Sequence, residues 1–148
     1  AVSKGVVYIG SWDDRLYAID IKTSENKWQV EAQGHVQSSP AVSEGVVYFG
    51  SEYLYAVDSN TGEEKWKFMT EGSIDSSPAV SEGVVYFGSE DNHLYALDSN
   101  TGEEKWKFKA EDYIYSSPAV SEGVVYFGSL NYDNPFISCY LYAVQIPE

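Results

Sequence analysis

Residues 76–109 read SSPAVSEGVVYFGSEDNHLYALDSNTGEEKWKFK. Glu82-Gly83 and Asn100-Thr101-Gly102 are turn chemistry, and the apolar runs between and around them are too short for helices. Val84, Val85, Tyr86 and Phe87 are apolar without alternation, as in a strand covered on both faces. Trp106 and Phe108 instead alternate with Lys105, Lys107 and Lys109, so one face packs while lysines project from an outer edge. The stretch therefore predicts four short strands: an inner SSPAVS, then GVVYFGS, LYALD and EEKWKFK.

The same text recurs along the chain. SSPAV stands at 38–42, 76–80 and 116–120, and units AVS(K/E)GVVY(I/F)GS begin at Ala1, Ala41, Ala79 and Ala119, at spacings of 40, 38 and 40. A period near 40 with four strands per unit is the signature of a β-propeller blade. The 148 residues thus divide as 1–40, 41–78, 79–118 and 119–148 within one all-β repeat domain of about 3.75 antiparallel blades. Six of the nine basic residues (Lys27, Lys65, Lys67, Lys105, Lys107, Lys109) lie on outer strands, where they guard the rim rather than form a binding patch.

Between the third and fourth strands runs Ala-x-Asp-x-x-Thr-Gly-x-x-x-Trp. It is complete at Ala56, Asp58, Thr61, Gly62, Trp66 and at Ala96, Asp98, Thr101, Gly102, Trp106. The first repeat has Ala18, Asp20, Thr23 and Trp28, with Ser24 at the glycine position. Asp can bond the amides of a turn, Gly accepts the positive φ of a tight hairpin, and Ala leaves room for a large ring. On these motifs the chain resembles the PQQ-like β-propeller repeat family, over essentially its whole length. The resemblance implies that this is the tryptophan-docking motif, each Trp stacking between blades. The fourth repeat departs, with Gln145 at the Asp position and no Thr, Gly, Trp or outer strand.

Family members typically carry eight blades. An arc of fewer leaves two blade faces open, each a large apolar surface. Two copies related by a twofold would close an eight-bladed ring, so a homodimer is the favoured expectation. A four-bladed monomer, a fragment and an open filament are the alternatives. The chain begins at Ala1 without a signal-like segment, consistent with a processed form or an excised piece.

In a four-strand meander, the turns after strands one and three share one end, and the loop after strand two shares the other with the blade connections. The first end is nearly constant among repeats. The second varies: Trp12-Asp13-Asp14-Arg15, Glu52-Tyr53, Glu90-Asp91-Asn92-His93 and the insertion at 130–140, with connections Gly34-His35-Val36-Gln37, Gly72-Ser73-Ile74-Asp75 and Asp112-Tyr113-Ile114-Tyr115. Unconstrained drift of surface loops explains such variation as readily as function does. Val36, Ile74 and Ile114 nevertheless keep an apolar register while Gln37, Asp75 and Tyr115 change beside them, next to the central channel. Candidate partner-binding residues are His35, Gln37, Asp75, Asp91, His93, Tyr113, Tyr115, Tyr132 and Phe136. The insertion, with Tyr132, Phe136 and Cys139, reads either as an aromatic contact loop or as a flap covering the truncated fourth blade.

Composition narrows the function. A net charge of −14 with no basic run argues against nucleic acid and anionic lipid, and no apolar run approaches the roughly 20 residues of a membrane helix. There is no HExxH, GxSxG, CxxC or paired His at metal spacing, and Asp13-Asp14 and Glu90-Asp91-Asn92 lack the alternation of a calcium loop. The single cysteine, Cys139, allows no internal disulfide and reads as a passive thiol, an intermolecular bridge being the alternative. The vicinal disulfide, ring-centre calcium and catalytic Asp of quinoprotein dehydrogenases cannot be placed, so neither a cofactor nor catalysis is expected. Eleven carboxylates face Arg15 on the variable end (Asp13, Asp14, Glu31, Glu52, Glu71, Asp75, Glu90, Asp91, Glu111, Asp112, Asp133). A binding or scaffolding propeller outside the cytoplasm, taking a basic protein segment, is the leading expectation. Self-assembly as the function itself is the second, and a duplicated or consensus-engineered scaffold without an evolved ligand the third.

Overall fold

Each repeat folds as one antiparallel meander. The structure, a computed structural model, describes residues 1–131 and 139–147. The first sheet takes β1 (Val2–Ser3), β2 (Val6–Gly10), β3 (Arg15–Asp20) and β4 (Asn26–Glu31) in chain order. The second takes β5 (Ala41–Ser43), β6 (Val46–Gly50), β7 (Tyr53–Asp58) and β8 (Glu64–Met69), and the third β9 (Ala79–Ser81), β10 (Val84–Gly88), β11 (His93–Asp98) and β12 (Glu104–Lys109). The fourth has three strands among the described residues: β13 (Ala119–Ser121), β14 (Val124–Leu130) and β15 (Cys139–Gln145). These sheets are the blades of a β-propeller.

The first hairpin of every sheet closes on two residues, as the pairing of Ser43 with Val46 shows. Glu44 and Gly45 both have positive φ, 47° and 80°, and the Lys4-Gly5, Glu82-Gly83 and Glu122-Gly123 pairs repeat this. That is a type I′ turn, whose twist matches the strands it joins, and it explains why Gly is fixed at its second position.

Two strand expectations change. SSPAVS does not pair throughout: only Ala-Val-Ser joins the ladder. Ahead of it the Ser38 hydroxyl accepts from Gly50 N at 2.7 Å and donates to Gly50 O at 3.1 Å, and Ser76–Gly88 and Ser116–Gly128 do the same. One hydroxyl thus supplies donor and acceptor where the nearby proline has no N–H to give. The insertion at 130–140 is likewise not all loop. Leu130 pairs with Cys139 and Ser129 with Tyr140, so its ends lengthen the β14–β15 hairpin.

Three apolar cores lie between successive sheets, each built from alternate residues of two blades. In the first, Val6, Tyr8, Leu16 and Ala18 meet Val47, Phe49, Tyr55 and Val57. The second and third repeat this between sheets two and three and between sheets three and four. Among the described residues no core joins sheet four to sheet one. Burial shows the difference: β6 is buried at every position, whereas β2 and β14 are covered on one face only. The four sheets form an open arc. At its inner edge Ser39 N donates to Ser77 Oγ (2.8 Å) and Ser77 N to Ser117 Oγ (3.1 Å), tying neighbouring inner segments.

Candidate protein-interaction face

The variable loops and the blade connections meet at one end of the arc and are laced by backbone hydrogen bonds. Val36 N donates to Ser11 O, Ile74 N to Ser51 O and Ile114 N to Ser89 O, at 3.0, 2.7 and 3.1 Å. Val36, Ile74 and Ile114 are buried plugs. Gly50 has no side chain because Ile74 occupies that space, and Gly10 and Gly88 make the same room for Val36 and Ile114.

Beside the plugs, Gln37 is exposed, and Asp75 and Tyr115 are half-buried. Burial pushes the Asp75 carboxyl above its ordinary range, and Glu90 and Glu52 add to the rise. Asp75 forms no ion pair among the described residues. Tyr113 and Tyr115 meet edge to face at 6.1 Å, and Tyr113 lines a cavity of about 190 Å³ with Asn92, Asp112 and Asn131. Glu52 accepts from Ser73 Oγ at 3.3 Å, bracing the same rim.

The two histidines differ. His35 is exposed, with Nδ1 2.8 Å from Asp14 Oδ1, and its ring stacks on Trp12 at 5.4 Å and 9°. Trp12 is 71% exposed. Sequence reasoning misses Trp12 as a contact residue, although the second and third repeats carry Glu52 and Glu90 at its position and the fourth Leu130. His93 lies against Asp91, whose side chain is only 7% exposed. Asp91 accepts from Tyr95 OH (2.6 Å), Glu71 N (3.2 Å) and His93 N (3.0 Å); burial first, and then the hydrogen bond to the Asp91 carboxylate, hold the Tyr95 phenol far above its usual range. Asp91 therefore ties its loop down, while Asp75, Glu52 and Glu90 crowd negative charge together. Tyr132 and Phe136 lie outside the described residues.

At the opposite end the turn aspartates cap their own loops. Asp58 Oδ1 accepts from Asn60 N and Thr61 N at 2.8 and 3.0 Å, and Asp20 and Asp98 do likewise. These amides hold all three carboxyls below the ordinary range. The tryptophans reach across blades. Trp28 Nε1 donates to Ser59 O (3.2 Å) and Trp66 Nε1 to Ser99 O (3.1 Å), and Tyr8 and Tyr48 hydroxyls reach the same two carbonyls. Each indole lies over the glycine of the next turn, Gly62 or Gly102. Trp106 packs beside Tyr86, its ring centroid 5.9 Å away. Ala18, Ala56 and Ala96 are fully buried opposite the three tryptophans, as the strand register requires.

A family model described as outer membrane protein assembly factor BamB matches residues 1–52 and 50–138. The chain belongs to the BamB-type PQQ-like propeller family. We find no significant match among curated protein sequences. Among solved structures, BamB from Moraxella catarrhalis is 24% identical with a TM-score of 0.76, over 96% of this chain and 43% of its own. The computationally designed Ika4 protein is 18% identical with a TM-score of 0.83, over 99% and 88%. A quinohemoprotein alcohol dehydrogenase from Comamonas testosteroni is 22% identical with a TM-score of 0.76, over 88% and 28%. The chain thus spans less than half the length of the BamB it matches, and these likenesses establish the BamB-type blade fold. Among the described residues no three His, Cys, Asp or Glu side chains gather to hold a metal ion, and no helix is long and apolar enough to cross a membrane.

Proposed function

We propose that this chain is a non-catalytic propeller scaffold, a protein-interaction module that works outside the cytoplasm and takes a basic segment of a partner on its variable face. The observation that carries this reading is the Asp75 carboxyl, half-buried beside Glu52 and Glu90 with no cation paired to it among the described residues. A lysine or arginine from a partner would relieve that repulsion. The exposed Trp12 ring, stacked on His35, offers an aromatic anchor on the same face. The family name BamB supports assembly work rather than catalysis.

Capture of a Lys/Arg-rich peptide by the full chain, followed by fluorescence anisotropy at increasing salt, tests it. Binding should weaken with salt and fall about tenfold in the Asp75→Asn, Glu52→Gln double variant. Binding indifferent to both would overturn the basic-partner assignment. Quinone with calcium and a dye-reduction assay tests the rejected dehydrogenase reading, and turnover would reinstate it. A second partner in this proposal is another copy of the chain, closing an eight-bladed ring. Its support is the apolar surface left bare at both ends of the arc, where Leu141 is 85% and Ile9 53% exposed.

A further inference from the structure

The repeats allow each bare residue to be compared with its equivalents inside the same molecule. Tyr126, Leu141 and Ala143 hold the register of Tyr48, Leu54 and Ala56, the face that receives the next blade. Leu16, Leu54 and Leu94 are fully buried there, but Leu141 is 85% exposed. On sheet one, Ile9 and Ile19 hold the register of Phe49 and Val57, the face that each blade presents to the one before. Phe49 and Phe87 are fully buried, but Ile9 is 53% exposed. One end of the arc thus has the giving face and the other the receiving face, and they are not the same face.

Charge follows the same sense. The type I′ turn residues of neighbouring sheets flank one cleft: Lys4 with Glu44 at the first junction, Glu82 with Glu122 at the third. Lys4 is the only cation among the four equivalent positions, and continuation past sheet four would set Glu122 against it.

The tryptophan contact marks this junction as different. A Cβ built on Gly62 or Gly102 would stand within 2.8 Å of the preceding indole. The first sheet has Ser24 there, with φ 58°, and half-exposed Ile21 at the place of Ser59. A tryptophan could not lie over Ser24 as Trp28 lies over Gly62. On sheet four the Asp position holds Gln145, which instead donates to Gly123 O at 2.9 Å.

We propose that sheet four seats head-to-tail on sheet one of a second copy through a junction without a tryptophan, Glu122 facing Lys4, and that two such junctions close the ring. This rests on the self-assembly part of the proposed function and adds which faces meet and in which sense.

Sedimentation of the full chain should give the two-chain mass. Leu141→Lys and Ile9→Lys should each, alone, weaken association about 100-fold or more, because every junction uses both faces once. A face-to-face dimer of like ends would survive one of these two changes, and that survival overturns the head-to-tail assignment while leaving self-assembly standing. Lys4→Glu should weaken association about threefold to tenfold, and adding Glu122→Lys should restore it. These are surface charges, so the swap reads out even where the Leu141 variant unfolds. Failure of the swap to restore association overturns the junction. A monomer at all concentrations overturns self-assembly itself, and growth into open polymers overturns ring closure.

Discussion

Trp28 lies directly over Gly62 of the next sheet: a Cβ built on Gly62 would stand 2.8 Å from Trp28 Cε3, while Trp28 Nε1 donates to Ser59 O at 3.2 Å. Ring, turn and blade spacing are therefore one unit. Gly62 also has φ of 75°, so any side chain there meets both strain and a ring.

Gly62→Ala should cost about 2–3 kcal/mol in thermal or urea unfolding, and Gly102→Ala, above which Trp66 lies, should match it. Ser24 supplies the contrast. It holds φ 58°, and among the described residues the tryptophans lie elsewhere, on Gly62, Gly102, His35 and Tyr86, so Ser24→Gly should leave stability unchanged or raise it by up to about 1 kcal/mol. Equal losses in all three variants would contradict the ring-over-glycine account.

Removing the Ser76 hydroxyl strands both Gly88 N and Gly88 O in a fully buried place. Ser76→Ala should cost about 2–3 kcal/mol by urea denaturation. Ser116 makes the same pair of bonds but is only half-buried, so water can replace its hydroxyl and Ser116→Ala should cost less.

Asp75 titrates above the ordinary carboxylate range because burial, Glu90 and Glu52 oppose its charge. A raised carboxyl pKa favours the fold when the group is protonated, and that contribution is lost as pH rises through the folded-state value. Asp75→Asn should therefore stabilise the chain at pH 7, by less than about 1 kcal/mol given partial exposure, and not at acid pH below the unfolded carboxyl pKa. A melting-temperature difference between variant and parent that does not change with pH would refute this.

The turn aspartates carry the opposite sign. Amides of Asn60 and Thr61 hold the Asp58 carboxyl low, so its contribution is present above the unfolded carboxyl pKa and fades as pH falls through the folded one. Asp58→Ala should cost at most about 1 kcal/mol at neutral pH after solvent screening, and the gap to the parent should narrow in acid. Melting curves across that acid range check it.

Much of the architecture follows from the chain text alone. Period, strand number and turn type are local properties, encoded in alternation and in Gly at positive φ, and the Glu82-Gly83 hairpin folds as its residues dictate. The acidic variable end was legible for the same reason, since a meander assigns loops to ends by counting. Three-dimensional packing decided the rest. Asp91 and Asp75 look alike in sequence, yet the Tyr95 hydroxyl and two amides engage Asp91 while Asp75 is left between two other carboxylates. Ser38 takes over a ladder position only because Gly50 comes within reach across the sheet. Leu54 and Leu141 occupy equivalent strand positions, and local text cannot distinguish their environments. Burial depends on the neighbouring sheet, which covers Leu54 completely and leaves Leu141 to solvent.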